Sequence, residues 1–181
     1  KLDIPITYFI LPQAWAWGEK RVKKMKPLLN QALSIFPFEK EWFEIRGLPI
    51  NYVGHPFADR QPVKKARTTF MNFHNIDPNH PIITLLPGSR QQEVEQHWPI
   101  FLKTLYLLQK KVPSLQAVVG KAPNVVLKPL PDHISVENKA RIAMAFGTVA
   151  ITSSGTATLE CAIEGIPMVV CYKMSFFSWM I

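Results

Sequence analysis

Cysteine is scarce: Cys161 and Cys171 are the only two in 181 residues, and they form no CxxC pair. That excludes a disulfide scaffold and a structural zinc finger, and fits a reducing cytosol. No apolar run approaches the roughly 18 residues that cross a bilayer, and there is no signal-peptide pattern. GxSxG and GxxxxGK[ST] are both absent, which removes the commonest hydrolases and P-loop enzymes. The five histidines (55, 74, 80, 97, 133) show neither HxH nor HExxH spacing, so no metal site is expected. No internal repeat or low-complexity tract occurs. Acidic residues are outnumbered, 13 against 21 basic ones, leaving a formal charge of +8. The excess favours anionic partners: nucleotides, phosphorylated substrates, nucleic acid or an acidic membrane surface. The chain opens on Lys1 rather than Met, and residues 175–181 close inside an apolar pattern, so it is expected to be truncated at both ends.

What is present is a packed α/β pattern. Hydrophobic residues make up 48% and charged residues 19%, enough for a core, and sixteen prolines imply short elements with firm turns. Residues 4–11 read as a buried strand stopped by Pro12. Trp15 and Trp17 then precede a basic helix carrying Lys20, Arg21, Lys23, Lys24 and Lys26. Residues 32–36 and 50–53 read as strands flanking a helix over 37–47. The polar, proline-punctuated stretch 61–78 reads as an interdomain linker holding at most one short helix. Beyond it the pattern predicts strands over 81–88, 115–119, 149–152 and 167–172, the last also buried. Helices are expected over 89–110, 139–147 and 156–163. Such alternation predicts parallel sheets covered on both faces, in two Rossmann-like units with a ligand cleft at the carboxyl ends of the strands.

Two turns carry the chemistry. The first is strand–PGSR–helix, where Gly88 permits a tight turn and Ser89 suits an N-cap. The amides of the first helical turn and the helix dipole would form an anion site there. Arg90 in that turn is electrostatically misplaced unless an anion offsets it, such as a diphosphate. The alternative is that Arg90 pairs with Glu93 or Glu95. The second is strand–TSSGTATLE–helix, where Ser153, Ser154, Gly155 and Thr156 let a ligand approach the backbone. Glu160 shares the face of Thr156 and suits the vicinal hydroxyls of a ribose. Its alternative is a plain Ser/Thr cap with a solvent-facing Glu160. The basic cluster suits lipid headgroups, RNA with tryptophan stacking, or solvent. His55, at a strand end, is either a cleft residue or a structural histidine. No Asp or Glu stands out as a general base.

Five blocks, in order across nearly the whole chain, resemble the lipid-A-disaccharide synthase family, bacterial glycosyltransferases of lipid A assembly. They are Pro12-Gln-Ala-Trp-Ala-Trp with Lys20-Arg21, and Phe36-Pro-Phe-Glu-Lys40. Next come Gly54-His-Pro with Ala58-Asp59, then Leu86-Pro-Gly-Ser-Arg90 with Glu93-Val-Glu95. The last is Ser154-Gly-Thr-Ala-Thr-Leu-Glu160 with Pro167-Met-Val-Val. The resemblance implies a GT-B fold of two Rossmann-like domains with parallel sheets. Residues 1–60 would end the N-terminal, acceptor domain, 61–78 would link, and 79–181 would form an incomplete nucleotide-sugar domain. It implies inverting transfer of 2,3-diacylglucosamine from UDP-2,3-diacylglucosamine to 2,3-diacylglucosamine 1-phosphate, without metal or cofactor. Arg90 would stabilise the leaving diphosphate, and Gly88, Ser89, Ser154, Gly155 and Thr156 would line it. Glu160 would hold the ribose, while Trp15, Trp17 and His55 would face the cleft or acceptor side. The expected partners are those acylated sugars and an anionic membrane surface, not nucleic acid, with the protein on the cytoplasmic face of the inner membrane. Two departures stand out. The family's glycine-rich segment and candidate catalytic aspartate precede Lys1, so the base lies outside this chain and the fragment alone is expected to be inactive. The stretch between Val119 and Ile134 is shorter than the family's, which has room for a helix.

Overall fold

The computed structural model describes residues 4–61, 63 and 67–173. Residues 62 and 64–66 of the expected linker, and the apolar stretch 175–181, lie outside the described residues. The chain divides into two compact units, Lys1–Arg60 and Gln61–Ile181.

The first unit is a three-stranded parallel sheet in the order β1 (Thr7–Phe9), β2 (Gln31–Ser34), β3 (Asn51–Tyr52). Parallel strands need crossover connections, and here these contain α1 (Lys20–Met25) and α2 (Pro37–Glu44). Pro37 opens α2 at a position where its missing N–H costs nothing. Leu11, Ala14, Val22, Ala32, Phe43, Leu48 and Ile50 form the core. The expectation of a buried strand over 4–11 is corrected: β1 has three residues, and Ile4, Ile6, Tyr8, Phe9 and Ile10 are exposed in this unit. Ile10, at φ +63°, takes the chain out of extended conformation ahead of Pro12.

In the second unit five parallel strands run in the order β6-β5-β4-β7-β8. They are β4 (Ile82–Leu86), β5 (Gln116–Gly120), β6 (Ile134–Glu137), β7 (Val149–Ser153) and β8 (Met168–Cys171). The helices are α3 (Arg67–His74), α4 (Gln91–Lys111), α5 (Ala140–Phe146) and α6 (Thr156–Ile163). All five residues of β4 are buried because helices cover both faces. Ile83 and Leu85 pack with Val94, Trp98, Phe101 and Leu105 of α4. Ile82 packs with α3 and α5, and Leu86 with Met144 and Cys161 of α5 and α6. Alternate residues of one strand thus serve opposite layers.

Three details depart from the sequence reading. The stretch 61–78 contains α3, whose Phe70 and Met71 are buried in the second unit's core, so that segment is part of that unit. β8 has Val169 and Val170 half-exposed and is not a buried strand, because among the described residues it pairs with β7 alone. β6 was not anticipated. The connection that reaches it, residues 121–133, contains no helix but buries Val125 and Leu127 against α4, and Trp98 Nε1 donates to the Pro129 carbonyl at 2.7 Å.

A buried polar link joins α3 to β6. His74 Nε2 donates to Glu137 Oε2 at 3.2 Å, and Glu137 Oε1 accepts the Lys139 amide at 2.9 Å, fixing the turn into α5. A buried carboxylate that loses a donor bears the full desolvation cost. His74→Ala is therefore expected to destabilise the protein by about 1–3 kcal/mol in urea unfolding, and His74→Gln, which keeps a donor, by less.

Candidate functional site

In the second sheet the chain starts at β4, runs outward through β5 to β6, then returns to the other side of β4 as β7 and β8. The connections leaving β4 and β7 therefore diverge to opposite faces, and a crevice opens between their carboxyl ends. A cavity of about 440 Å³ occupies this position. Gly88, Ser89 and Arg90 line it after β4, and Ser154, Gly155, Thr156 and Glu160 after β7. All seven nucleotide-side residues expected from the sequence thus meet in one cavity. Lys121 and Asn138, which the sequence reading did not single out, line it too. Trp15, Trp17 and His55 belong to the first unit and are not part of this cavity.

The β4 turn differs in detail from expectation. Gly88, at φ +131°, occupies a conformation that side chains disfavour, and an added Cβ would sit 3.0 Å from Glu93. Arg90 itself, not Ser89, is the N-cap of α4, and no side chain caps the helix there. Glu93 resolves the charge conflict instead. Its Oε1 accepts from Arg90 Nη1 at 2.6 Å, and its carboxylate lies near enough to the Ser89 and Arg90 amides to be stabilised by them. A carboxylate of the chain itself thus sits on the donors an incoming anion would use. Partial burial pushes the Glu93 carboxyl up, but the Arg90 hydrogen bond and charge, with those two amides, hold it below the usual glutamate value.

The β7 turn is open. Gly155, at φ +151°, is the N-cap of α6 without a side-chain cap, and nothing lies within 4 Å of where its Cβ would be. Ser154 N–H donates to the Cys171 carbonyl at 3.0 Å, pinning the turn to the edge strand. Glu160 is half-buried in the cavity wall rather than solvent-facing. Behind it, burial and the Glu160 charge push the Cys161 thiol up to about 11, so it is not a nucleophile at neutral pH.

His97 is the residue whose role spacing did not reveal. Buried on α4, its Nδ1–H donates to the Pro87 carbonyl at 3.0 Å, and its Nε2 accepts the Lys173 amide at 3.0 Å. The ring is held as one neutral tautomer and ties the β4 turn to the end of β8. In the first unit, His55 Nδ1 accepts the Phe57 amide at 3.1 Å, with its ring between Phe36 and Phe57. Trp15 Nε1 donates to the buried Glu39 at 3.2 Å, and both Trp15 and Trp17 are exposed, Trp17 the more so. Among the described residues no cluster of His, Cys, Asp or Glu could hold a metal ion, and no helix is long and apolar enough to cross a membrane.

A parallel sheet in this order, with two glycine turns at its switch point, defines a Rossmann-like α/β protein with a crevice at its strand ends. The chain belongs to the lipid-A-disaccharide synthetase family, whose model matches residues 1–181. Its α/β architecture with parallel sheets is of the GT-B type, as expected from the sequence. It is 37% identical over 187 residues to lipid-A-disaccharide synthase 1 of Legionella pneumophila (strain Lens), covering 99% of this chain and 49% of that one. It is 33% identical over 183 residues to the synthase of Geobacter metallireducens, covering 97% and 48%. Against the synthase of Coxiella burnetii (strain RSA 331 / Henzerling II) the identity is 32% over 180 residues, covering 97% and 48%. The chain spans about half the length of these relatives.

Two outcomes follow for the turn. Because its pKa is depressed, ionised Glu93 contributes stability above the ordinary glutamate value of 4.5, and this is lost as pH falls through the lowered one. Arg90→Ala should move the Glu93 titration, followed by carboxyl NMR, upward toward 4.5. His97→Phe keeps an aromatic ring but orphans the buried Pro87 carbonyl and frees the Lys173 amide, and is expected to cost about 1–3 kcal/mol in thermal or urea unfolding.

Proposed function

We propose that the chain is part of an inverting glycosyltransferase and that the cavity of its second unit takes the diphosphate of a UDP-sugar. The reaction transfers 2,3-diacylglucosamine from UDP-2,3-diacylglucosamine to the 6-hydroxyl of 2,3-diacylglucosamine 1-phosphate, with inversion, releasing UDP. The observation that carries this reading is the meeting of both glycine turns with Glu160 in one cavity at the strand-order switch. Family membership supplies the substrate class.

The chemistry follows from the donors. Glu93 already occupies the β4 turn as an anion, which supports the turn's capacity to bind one. An incoming diphosphate displaces that carboxylate and receives the Arg90 fork and the Gly88–Ser89 backbone. As the sugar–phosphate bond breaks, negative charge grows on the leaving oxygen, and these fixed donors stabilise it. Ser154, Gly155 and Thr156 line the opposite side, and Glu160 accepts from the ribose hydroxyls. No metal or cofactor takes part in this reading.

The first unit supplies the reason to place the protein at a membrane. Lys20, Arg21, Lys23, Lys24 and Lys26 are all exposed on and after α1, beside the exposed Trp17. A cationic helix with a neighbouring indole suits anionic headgroups, where the acylated substrates reside. We place it peripherally on the cytoplasmic face of the inner membrane.

Intact protein incubated with both acylated substrates should yield disaccharide and free UDP by mass spectrometry, and only when both are present. UDP release without disaccharide would point to a soluble or different acceptor. Arg90→Ala should weaken UDP binding by about 1–3 kcal/mol in calorimetry. Affinity equal to wild type would overturn its assignment.

A further inference from the structure

The cavity has a third wall, and it brings in a cation that neither glycine turn contains. Lys121 directly follows β5, the neighbour of β4 on the side away from β7, and its residue lines the cavity. Its base is held firmly. The Lys121 amide donates to the Glu137 carbonyl at 2.9 Å. The connection it opens is fastened to the start of α4: Gln91 Oε1 accepts the Val126 amide at 2.8 Å, and Gln91 Nε2 donates to the Val126 carbonyl at 3.3 Å. With no helix in this connection, the chain passes directly from β5 along the start of α4.

Charge counting singles this residue out. Two cations, Arg90 and Lys121, and two carboxylates, Glu93 and Glu160, line the cavity. Arg90 is engaged by Glu93. Among the described residues no carboxylate pairs with the half-buried Lys121. A cation at the cavity wall with no carboxylate partner of its own gains one when an anion enters the cavity.

We propose that Lys121 is the cation that draws the diphosphate into the cavity and holds it from the β5 side, while Glu93 still occupies the β4 turn. The assignment rests on reading this cavity as the sugar-nucleotide site. Its flexible stem follows phosphate oxygens as they move, where the forked Arg90 holds them in one geometry. The residue acts in binding; nothing in its position makes it a proton carrier.

The test is calorimetric titration of intact wild type, Lys121→Met and Lys121→Arg with UDP, and with uridine as a phosphate-free probe. Lys121→Met should weaken UDP roughly 10- to 100-fold, the range for one charge-assisted hydrogen bond, and flatten the salt dependence. Lys121→Arg should retain most of the affinity, and uridine should bind all three proteins alike. Equal UDP affinity in Lys121→Met and wild type overturns the role of Lys121 and leaves the nucleotide site standing. Parallel loss of UDP and uridine in Lys121→Met also overturns it, since the cavity rather than the charge has changed. Wild type that binds no UDP overturns both readings.

Discussion

The chain's return to the other side of β4 is the constraint on which the site depends. In a parallel sheet every strand ends at the same edge, and each crossover has a fixed hand. Moving outward from β4 through β5 and then back to β7 sends α4 to one face of the sheet and α6 to the other. Among the described residues a gap is left above the β4–β7 pair. The glycines at 88 and 155 exploit that gap, since their positive φ angles keep backbone amides at the cavity wall without a side chain in front of them. The packing that supports this edge is dry: Trp98, Phe101 and Leu105 anchor α4 under the β4 turn, each essentially fully buried. His97 adds a polar tie between the same turn and the residues that follow β8.

The electrostatics of the cavity are those of a site held in balance. A helix N-terminus carries a partial positive charge, and placing Arg90 there would be repulsive. Glu93 removes that repulsion by pairing with the guanidinium, with the two amides nearby adding to the stabilisation of its charge. The arrangement explains how a basic residue is tolerated at the cap. It also means that phosphate binding in the proposed reading is an exchange of one anion for another. The net gain is smaller than the gross contacts suggest, because the contacts to Glu93 are given up as those to phosphate form.

Much of this was legible because the signals were local. Thr156–Ile163 was readable to the residue, since Gly155 and Gly165 bracket an unbroken helical pattern. β4 was readable from a run of apolar residues that must be buried on both sides, and α4 from the spacing of Val94, Phe101, Leu105 and Leu108. The failures have physical causes. β6, four residues after a proline-rich connection, has no amphipathic period, and only pairing to β5 makes it a strand. The segment 4–11 and β8 have core-like composition, yet each contributes an edge strand, a property of sheet order that composition does not carry. The capping error at Ser89 arose from treating the N-cap as a matter of residue type. A glutamate three positions after Arg90 was the available sign that the acid, not the serine, would take the free amides. His97 gave no signal, because a lone histidine on a buried helix face looks the same whether or not both ring nitrogens have partners.

An exchange site selects ligands differently from an open one. A single carboxylate or phosphate offers the β4 turn about what Glu93 already offers, and gains little by replacing it. A diphosphate has a second phosphate to place, and the cavity has donors and positive charge beyond the reach of Glu93: the open β7 turn on one side and Lys121 on the other. The advantage of the diphosphate over a monoanion therefore comes from the walls that Glu93 does not touch. In the proposed reading Glu160, on the β7 side, reinforces this by repelling a bare anion while accepting from a ribose attached to the diphosphate. On this reading the cavity discriminates against free phosphate and carboxylate metabolites without any steric filter. Selectivity is set by which part of the ligand extends past the turn that the protein has already neutralised for itself.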